Sequence, residues 1–193
     1  MSTWAMTSKR EKEALAVKCA EEVFTRYGYA RTTMGDIAAA SGMSRPALYL
    51  LFSDKDAVFS KVIEEMDRRT LDKIRSALRD IEPLREKLLH ACTTWGLHGV
   101  ELAAAHPDAA DLFDLRFVAV RQVYGRFQEL LVAILGDAVT KSDLGVTTEE
   151  FATTLTYGMR GLRYASSSVD DMKRMIEVHV EAYARALGSG GTL

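Results

Sequence analysis

Along the first 60 residues, apolar and polar positions alternate in short, punctuated blocks. Between residues 8 and 27, apolar side chains recur at Leu15, Cys19, Val23 and Phe24, with Ala16 and Ala20 between them. Steps of three and four place them on one stripe of a helix. Gly28 is suited to end that helix. Thr33 precedes a second apolar block, and Asp36 follows three residues on, the pattern of a helix start. A short helix is expected over residues 34–40. Gly42 supplies a left-handed turn. Ser44 then caps a third helix, with Pro46 in its first turn, running to about Phe52. Ser53 and Asp54 precede a long amphipathic stretch, residues 55–81.

Beyond Pro83 the punctuation thins. Helical stretches are expected at 83–105, 107–113, 115–139, 148–167 and 169–187, with a loop and cap at Gly145 to Glu150. No stretch has the two-residue period of a strand, and no internal repeat occurs. The pattern predicts an all-α chain. The glycine-rich end, residues 188–193, is expected to be a disordered tail.

Composition narrows this reading. Of 193 residues 48% are hydrophobic and 27% charged, the balance of a globular chain. Only three prolines interrupt it, which favours long helices. Cys19 and Cys92 form no disulfide framework, and a reduced, cytoplasmic setting is expected. Residues 1–10 are polar, so no signal peptide is expected, and no apolar run is long enough to span a bilayer. The formal charge of -2 excludes bulk nucleic-acid packaging but not site-specific DNA binding. The first 60 residues carry eight Lys/Arg against seven Asp/Glu, too weak an asymmetry to point to DNA on its own.

Residues 34–52 have the logic of a helix-turn-helix. Ala38 is small where two helices must touch, Gly42 permits the turn, and Ile37, Met43 and Leu48 fill the space between. Ser44, Arg45, Ala47 and Tyr49 then fall on or near the outward N-terminal face of the second helix, the part that reaches base edges in a major groove. Arg45 can donate to guanine or phosphate, and Ala47 can contact a thymine methyl.

Gly28-Tyr29, Thr32-Thr33, Ile37-Ala38, Gly42-Met43-Ser44, Leu48-Tyr49, Phe52, Lys55 and Val58-Phe59 stand at the spacing of a known signature. Over about residues 8–60 the chain resembles the TetR family of transcriptional regulators. The resemblance implies a three-helix DNA-binding domain followed by a helical effector-binding and dimerisation domain. It implies phosphate contacts at Thr33 and Lys55, a backbone contact at Tyr49, and base reading at Arg45, Pro46 and Ala47, beside Ser44. Leu50 and Leu51 depart from it, because an aromatic residue and a histidine usually follow that tyrosine. An exposed leucine makes no hydrogen bond to phosphate, so fewer backbone contacts are expected at Leu50, offset by Lys9, Arg10 and Lys12.

The expected division is 1–55 for DNA binding and 56–187 for effector binding and dimerisation. Phe151, Leu155, Gly158, Met159 and Leu162 form one stripe; Met172, Met175, Ile176, His179, Val180, Tyr183 and Leu187 form another. Either they pack within one chain or, as the resemblance implies, they pair the last two helices of a homodimer across a two-fold axis. A sensing pocket is expected among Cys92, Trp95, Gly96, Gly99, Phe113, Phe117, Val120, Tyr124, Phe127, Tyr157 and Gly161, with His98 and Arg160 as polar contacts. Each of these residues can equally be core. His90 and His98 are eight residues apart and Cys92 lies on another face, so no metal site or cofactor is expected. Asp108, Asp111 and Asp114 look like a helix-start preference on a solvated face. No phosphate loop, HExxH or nucleophile–base pair is present, so enzymatic activity is not expected. The function expected is a repressor that binds palindromic operator DNA and is released by a small apolar or aromatic effector, signalled through the long helix from Lys55. The alternative is a helical enzyme or adaptor that keeps the motif without operator binding.

Overall fold

The computed structural model describes residues 8–188; residues 1–7 and the expected tail from 189 onward lie outside them. The order is α1 (Lys9–Arg31), α2 (Met34–Ala40), α3 (Arg45–Tyr49), α4 (Lys55–Ala77), α5 (Leu84–Ala105), α6 (Val118–Leu135), α7 (Thr148–Ala165) and α8 (Val169–Gly188). Two 3-10 segments, Leu78–Asp80 and Pro107–Phe113, follow α4 and α5. No strand occurs among the described residues, so the all-α expectation holds.

The starts of the helices are fixed locally. Ser8 with Glu11, Thr33 with Asp36, and Thr147 with Glu150 each form a reciprocal capping box. Ser44 accepts from the Ala47 N–H at 3.3 Å, and Asp54 from the Ala57 N–H at 2.8 Å. Each supplies an acceptor to N–H groups that have none inside their helix.

Several ends differ from expectation. α1 does not stop at Gly28. There the backbone swings to φ 76°, ψ 165°, and one further turn runs to Arg31. α4 gives way to a 3-10 turn before Ile81, and residues 107–113 are 3-10 rather than α. α6 begins at Val118 rather than 115, because Asp114 gathers the Arg116 N–H at 2.8 Å into a turn. It stops at Leu135, before Gly136 with φ 55°.

Contacts divide the chain into two compact units, residues up to Met66 with Leu102–Arg121, and Asp67–Glu101 with residues from Gln122 onward. This cuts the chain differently from the expected boundary at residue 55. In the first unit Ala16, Ala20, Phe24, Ile37, Leu48 and Val58 are wholly buried. Phe24, Tyr29, Phe59 and Phe117 form an aromatic cluster there, with Tyr29 and Phe117 ring centroids 4.6 Å apart. Leu15, expected on the buried stripe, is 46% exposed; the stripe runs through Ala16, Ala20, Val23 and Phe24 instead.

The core of the second unit is built from Ile74, Leu88, Cys92, Phe127, Leu131, Phe151, Leu155, Met159, Met172, Ile176 and Val180. The buried members of the α7 and α8 stripes thus pack within one chain. Outward, α7 leaves Tyr157 and Tyr164, and α8 leaves Val178. Both cysteines are free, and burial pushes the Cys92 thiol up to about 12.

Candidate nucleic-acid interface

α2 and α3 meet through a tight turn. The Met43 N–H donates to the Ala38 carbonyl at 2.9 Å, and Gly42 holds φ 65°. Ile37 and Ala38 of α2 and Leu48 of α3 are buried, with Met43 half-buried between them. With Leu48 committed to the core, α3 turns its other residues outward. Ser44, Arg45 and Pro46 are exposed, Ala47 is half-exposed, Tyr49 is 52% exposed and Leu50 is 81% exposed. The helix itself ends at Tyr49, but the Leu51 and Phe52 N–H groups still donate to the Leu48 carbonyl, both at 3.0 Å. Leu51 is partly buried in that turn.

Arg45 does not extend freely. A Cβ on Gly35 would strike its guanidinium, so Arg45 folds back over the first turn of α2. There it faces Asp36, whose carboxyl is held below the ordinary aspartate range chiefly by its hydrogen bonds to Thr33, with a smaller contribution from Arg45. Gly35 was not singled out in the sequence. The available signal was a glycine inside a short helix, which costs helix stability unless something approaches closely.

Thr33 is exposed at the start of α2, its hydroxyl donating to Asp36 at 2.7 Å. Lys55, at the start of α4, has one N–H donating to the Tyr29 carbonyl at 2.9 Å, and its ammonium sits 4.0 Å from the Tyr29 ring centre. Two of its three N–H donors remain for another acceptor. The Tyr29 hydroxyl donates to Asp56, and burial with that bond raises its pKa to about 12.

The acidic run 108–114 is not the solvated face expected. The Asp111 carboxylate accepts from the Tyr29 N–H at 3.0 Å and the Ala30 N–H at 2.9 Å. These are the N–H groups freed where α1 restarts after Gly28. Arg31 pairs with Asp108, and a Cβ on Gly28 would strike the Asp108 carbonyl.

The expected effector residues fall into separate groups. Trp95, Tyr124, Phe127 and Tyr157 lie together in the second unit. Trp95 stacks on Phe127 at 4.2 Å and meets Tyr124 edge-on at 5.2 Å, and Tyr124 stacks on Tyr157 at 5.7 Å. Phe113 and Phe117 belong instead to the first unit, where Phe117 closes the cluster on Tyr29 and Phe59. Their aromatic character fitted both roles, and only the path of the chain separates them. Arg160 turns to Tyr164, its guanidinium 5.6 Å from the ring centre, and His98 is exposed. An ion pair with a buried carboxylate was missed: the partly exposed Arg126 donates to Asp67 at 2.5 Å, and the second Asp67 oxygen has no hydrogen-bond partner. Burial raises the Asp67 carboxyl above its usual range, against the lowering effect of Arg126. The signal was the position of Asp67 on the buried stripe with Ile63, Leu71 and Ile74. Among the described residues no group of three His, Cys, Asp or Glu is placed to hold a metal ion, and no helix is long and apolar enough to cross a membrane.

Residues 17–62 match the family described as bacterial regulatory proteins, tetR family. The HTH-type transcriptional regulator YfiR of Bacillus subtilis, itself uncharacterized, is 38% identical over 68 residues, 34% of this chain and 33% of its own. The match therefore spans about a third of that relative. Among solved structures, a transcriptional regulator from Cytophaga hutchinsonii shares the fold with a TM-score of 0.72 at 22% identity, covering 90% of this chain and 97% of its own. The regulator FadR from Bacillus subtilis, solved in complex with stearoyl-CoA, shares it with a TM-score of 0.65 at 16% identity, over 93% and 98%. Over residues 17–62 the chain is thus similar in sequence to the tetR family of bacterial regulatory proteins, and over most of its length it shares the fold of solved transcriptional regulators.

Proposed function

We propose that this protein is a sequence-specific DNA-binding transcriptional regulator, acting as a repressor that a small apolar effector releases from its operator. The observation that carries the reading is the outward face of α3. It presents Ser44, Arg45, Pro46, Ala47, Tyr49 and Leu50 to solvent on a helix whose opposite side is locked by Leu48. In this reading Arg45 and Ala47 contact base edges, and Thr33, Tyr49 and Lys55 contact phosphates. A homodimer formed through α7 and α8 sets two such helices about 34–36 Å apart, the spacing of successive major grooves on a palindrome.

For the effector, the contiguous rings of Trp95, Tyr124, Phe127 and Tyr157 favour an apolar or aromatic molecule. The stearoyl-CoA bound by the similarly folded FadR makes long-chain acyl thioesters the class to test first. Release requires that the effector bind the two states of the dimer unequally. α4 is the natural relay, since its residues 55–66 belong to the first unit and 67–77 to the second.

The test is a fluorescence-anisotropy titration against the DNA upstream of the protein's own gene, at two salt concentrations with a scrambled competitor. Saturable binding that survives the competitor and weakens with salt is expected. Arg45→Glu should abolish it, and stearoyl-CoA should reverse it. Wild-type binding no tighter than to the scrambled duplex, unchanged in Arg45→Glu, would sink the reading.

A further inference from the structure

Within the second unit, the aromatic array ends beside two cations. Trp95 stacks on Phe127, Tyr124 meets Trp95 at 8% exposure, and Tyr157, stacked on Tyr124, is 48% exposed. The rings thus run from core to solvent. Tyr157, Arg160 and Arg163 recur every three residues along α7, so each is a surface neighbour of the next. The Arg160 guanidinium lies 5.6 Å from the Tyr164 ring centre, and one of its N–H groups donates to the Tyr164 hydroxyl at 3.5 Å. Arg163 is half-buried and close to Tyr124: burial raises the Tyr124 pKa, and both arginines pull it back down. Burial lowers the Arg163 pKa, Tyr124 and Tyr164 oppose that, and Arg160 adds to it.

The negative end of α7 favours a cation in its last turn, but that needs no burial. Two guanidiniums one turn apart repel each other, and neutral tyrosine hydroxyls cancel neither charge. α7 carries no Asp or Glu from Phe151 to Ala165, and α6 none before Glu129. Of the acids that follow α7, Asp170 faces Lys173 at 3.9 Å and Asp171 accepts from the Ser167 N–H at 2.8 Å. A pair of forked cations at the open end of an aromatic array matches an amphiphile with an oxyanion at one end. We propose that Arg160 and Arg163 bind the anionic head of the effector, a carboxylate or phosphate, while its apolar body lies along Tyr157 and Tyr124 toward Trp95. The inference rests on the effector reading above and gives that effector a charge. Each guanidinium offers parallel N–H donors, a geometry that takes two oxygens of one anion at once. Specificity then comes from charge as well as apolar area, and an uncharged chain of equal length binds more weakly.

The experiment follows tryptophan fluorescence in the 193-residue chain carrying Trp4→Phe, which leaves Trp95 as its one tryptophan, and it needs no DNA. Decanoate, decyl phosphate and decanol are titrated at neutral pH, below their micelle concentrations. One of the anions should bind about tenfold or more tighter than decanol, the range of hydrogen bonds to charged groups. The tighter anion identifies the head group. Arg163→Gln should narrow that preference to less than about threefold, and Arg163→Lys should restore part of it. Arg160→Gln should narrow it as well, and carries the test if the circular dichroism of Arg163→Gln departs from wild type. Equal affinity for anions and alcohol, or a preference that survives both glutamine substitutions, overturns the inference and leaves the apolar-effector reading standing. Absence of binding by all three probes also overturns the inference; the effector reading falls with it only if stearoyl-CoA fails to release the operator complex.

Discussion

At the residue scale, the polar face of the first unit rests on one close approach. Gly35 leaves the room that the Arg45 guanidinium occupies. Arg45 is exposed and flexible, so it can move aside when a methyl group is added. Gly35→Ala should leave the melting temperature within a degree or two, or raise it, because alanine favours helix. It should also weaken operator binding about tenfold by displacing Arg45, a change anisotropy would read. Equal affinity would mean that the folded-back arginine is not the reading conformation. Asp36 supports the same turn. Its folded pKa lies below the ordinary 3.8, so the folded chain binds fewer protons there than the unfolded chain. Its contribution is complete above about pH 4 and is lost as pH falls through the lower folded value. Acid unfolding of Asp36→Asn should show wild type losing its advantage over the variant in that window, and a gap constant with pH would contradict this.

At the element scale, the end of α1 is held from far along the chain. Gly28 breaks the helix with a positive φ, and Asp111, more than 80 residues away, accepts from the two N–H groups that follow. Removing the carboxylate leaves both donors without their acceptor, which costs about 1–3 kcal/mol. Asp111→Ala should lower stability by that amount in a denaturant titration, and amides 29 and 30 should exchange faster. A variant as stable as wild type, with unchanged exchange, would show that water replaces the clasp at no cost. The caps of α1, α2, α3, α4 and α7 were legible beforehand or follow the same grammar, because cap and capped group lie within three residues. The Asp111 clasp was not, because nothing near residues 107–114 names Tyr29 and Ala30 as partners. The same gap put Phe117 in an effector pocket: its ring meets Tyr29 and Phe59, both more than 50 residues earlier.

At the scale of the whole molecule, the α7 and α8 stripes divide their work. Phe151, Leu155, Met159, Met172, Ile176 and Val180 are spent inside the protomer, which leaves Tyr164 and Val178 exposed for the proposed second copy. Light scattering should give twice the 21.4 kDa chain mass for wild type. Tyr164→Glu, with the tyrosine 74% exposed, should favour the monomer without loss of helix content and reduce affinity for a palindromic duplex. A monomeric wild type would remove the homodimer from the proposal. The sequence by itself determined the helices, their caps, the α2–α3 turn and the outward residues of α3. Those features depend on groups within about four residues, whose geometry the backbone fixes. Only the tertiary structure decided that Leu15 faces outward, that Arg45 folds over Gly35, that Asp67 is buried against Arg126 and that Phe117 joins the first unit. Each of those depends on which distant segment arrives beside the residue, and apolar or charged character alone fits many such neighbours.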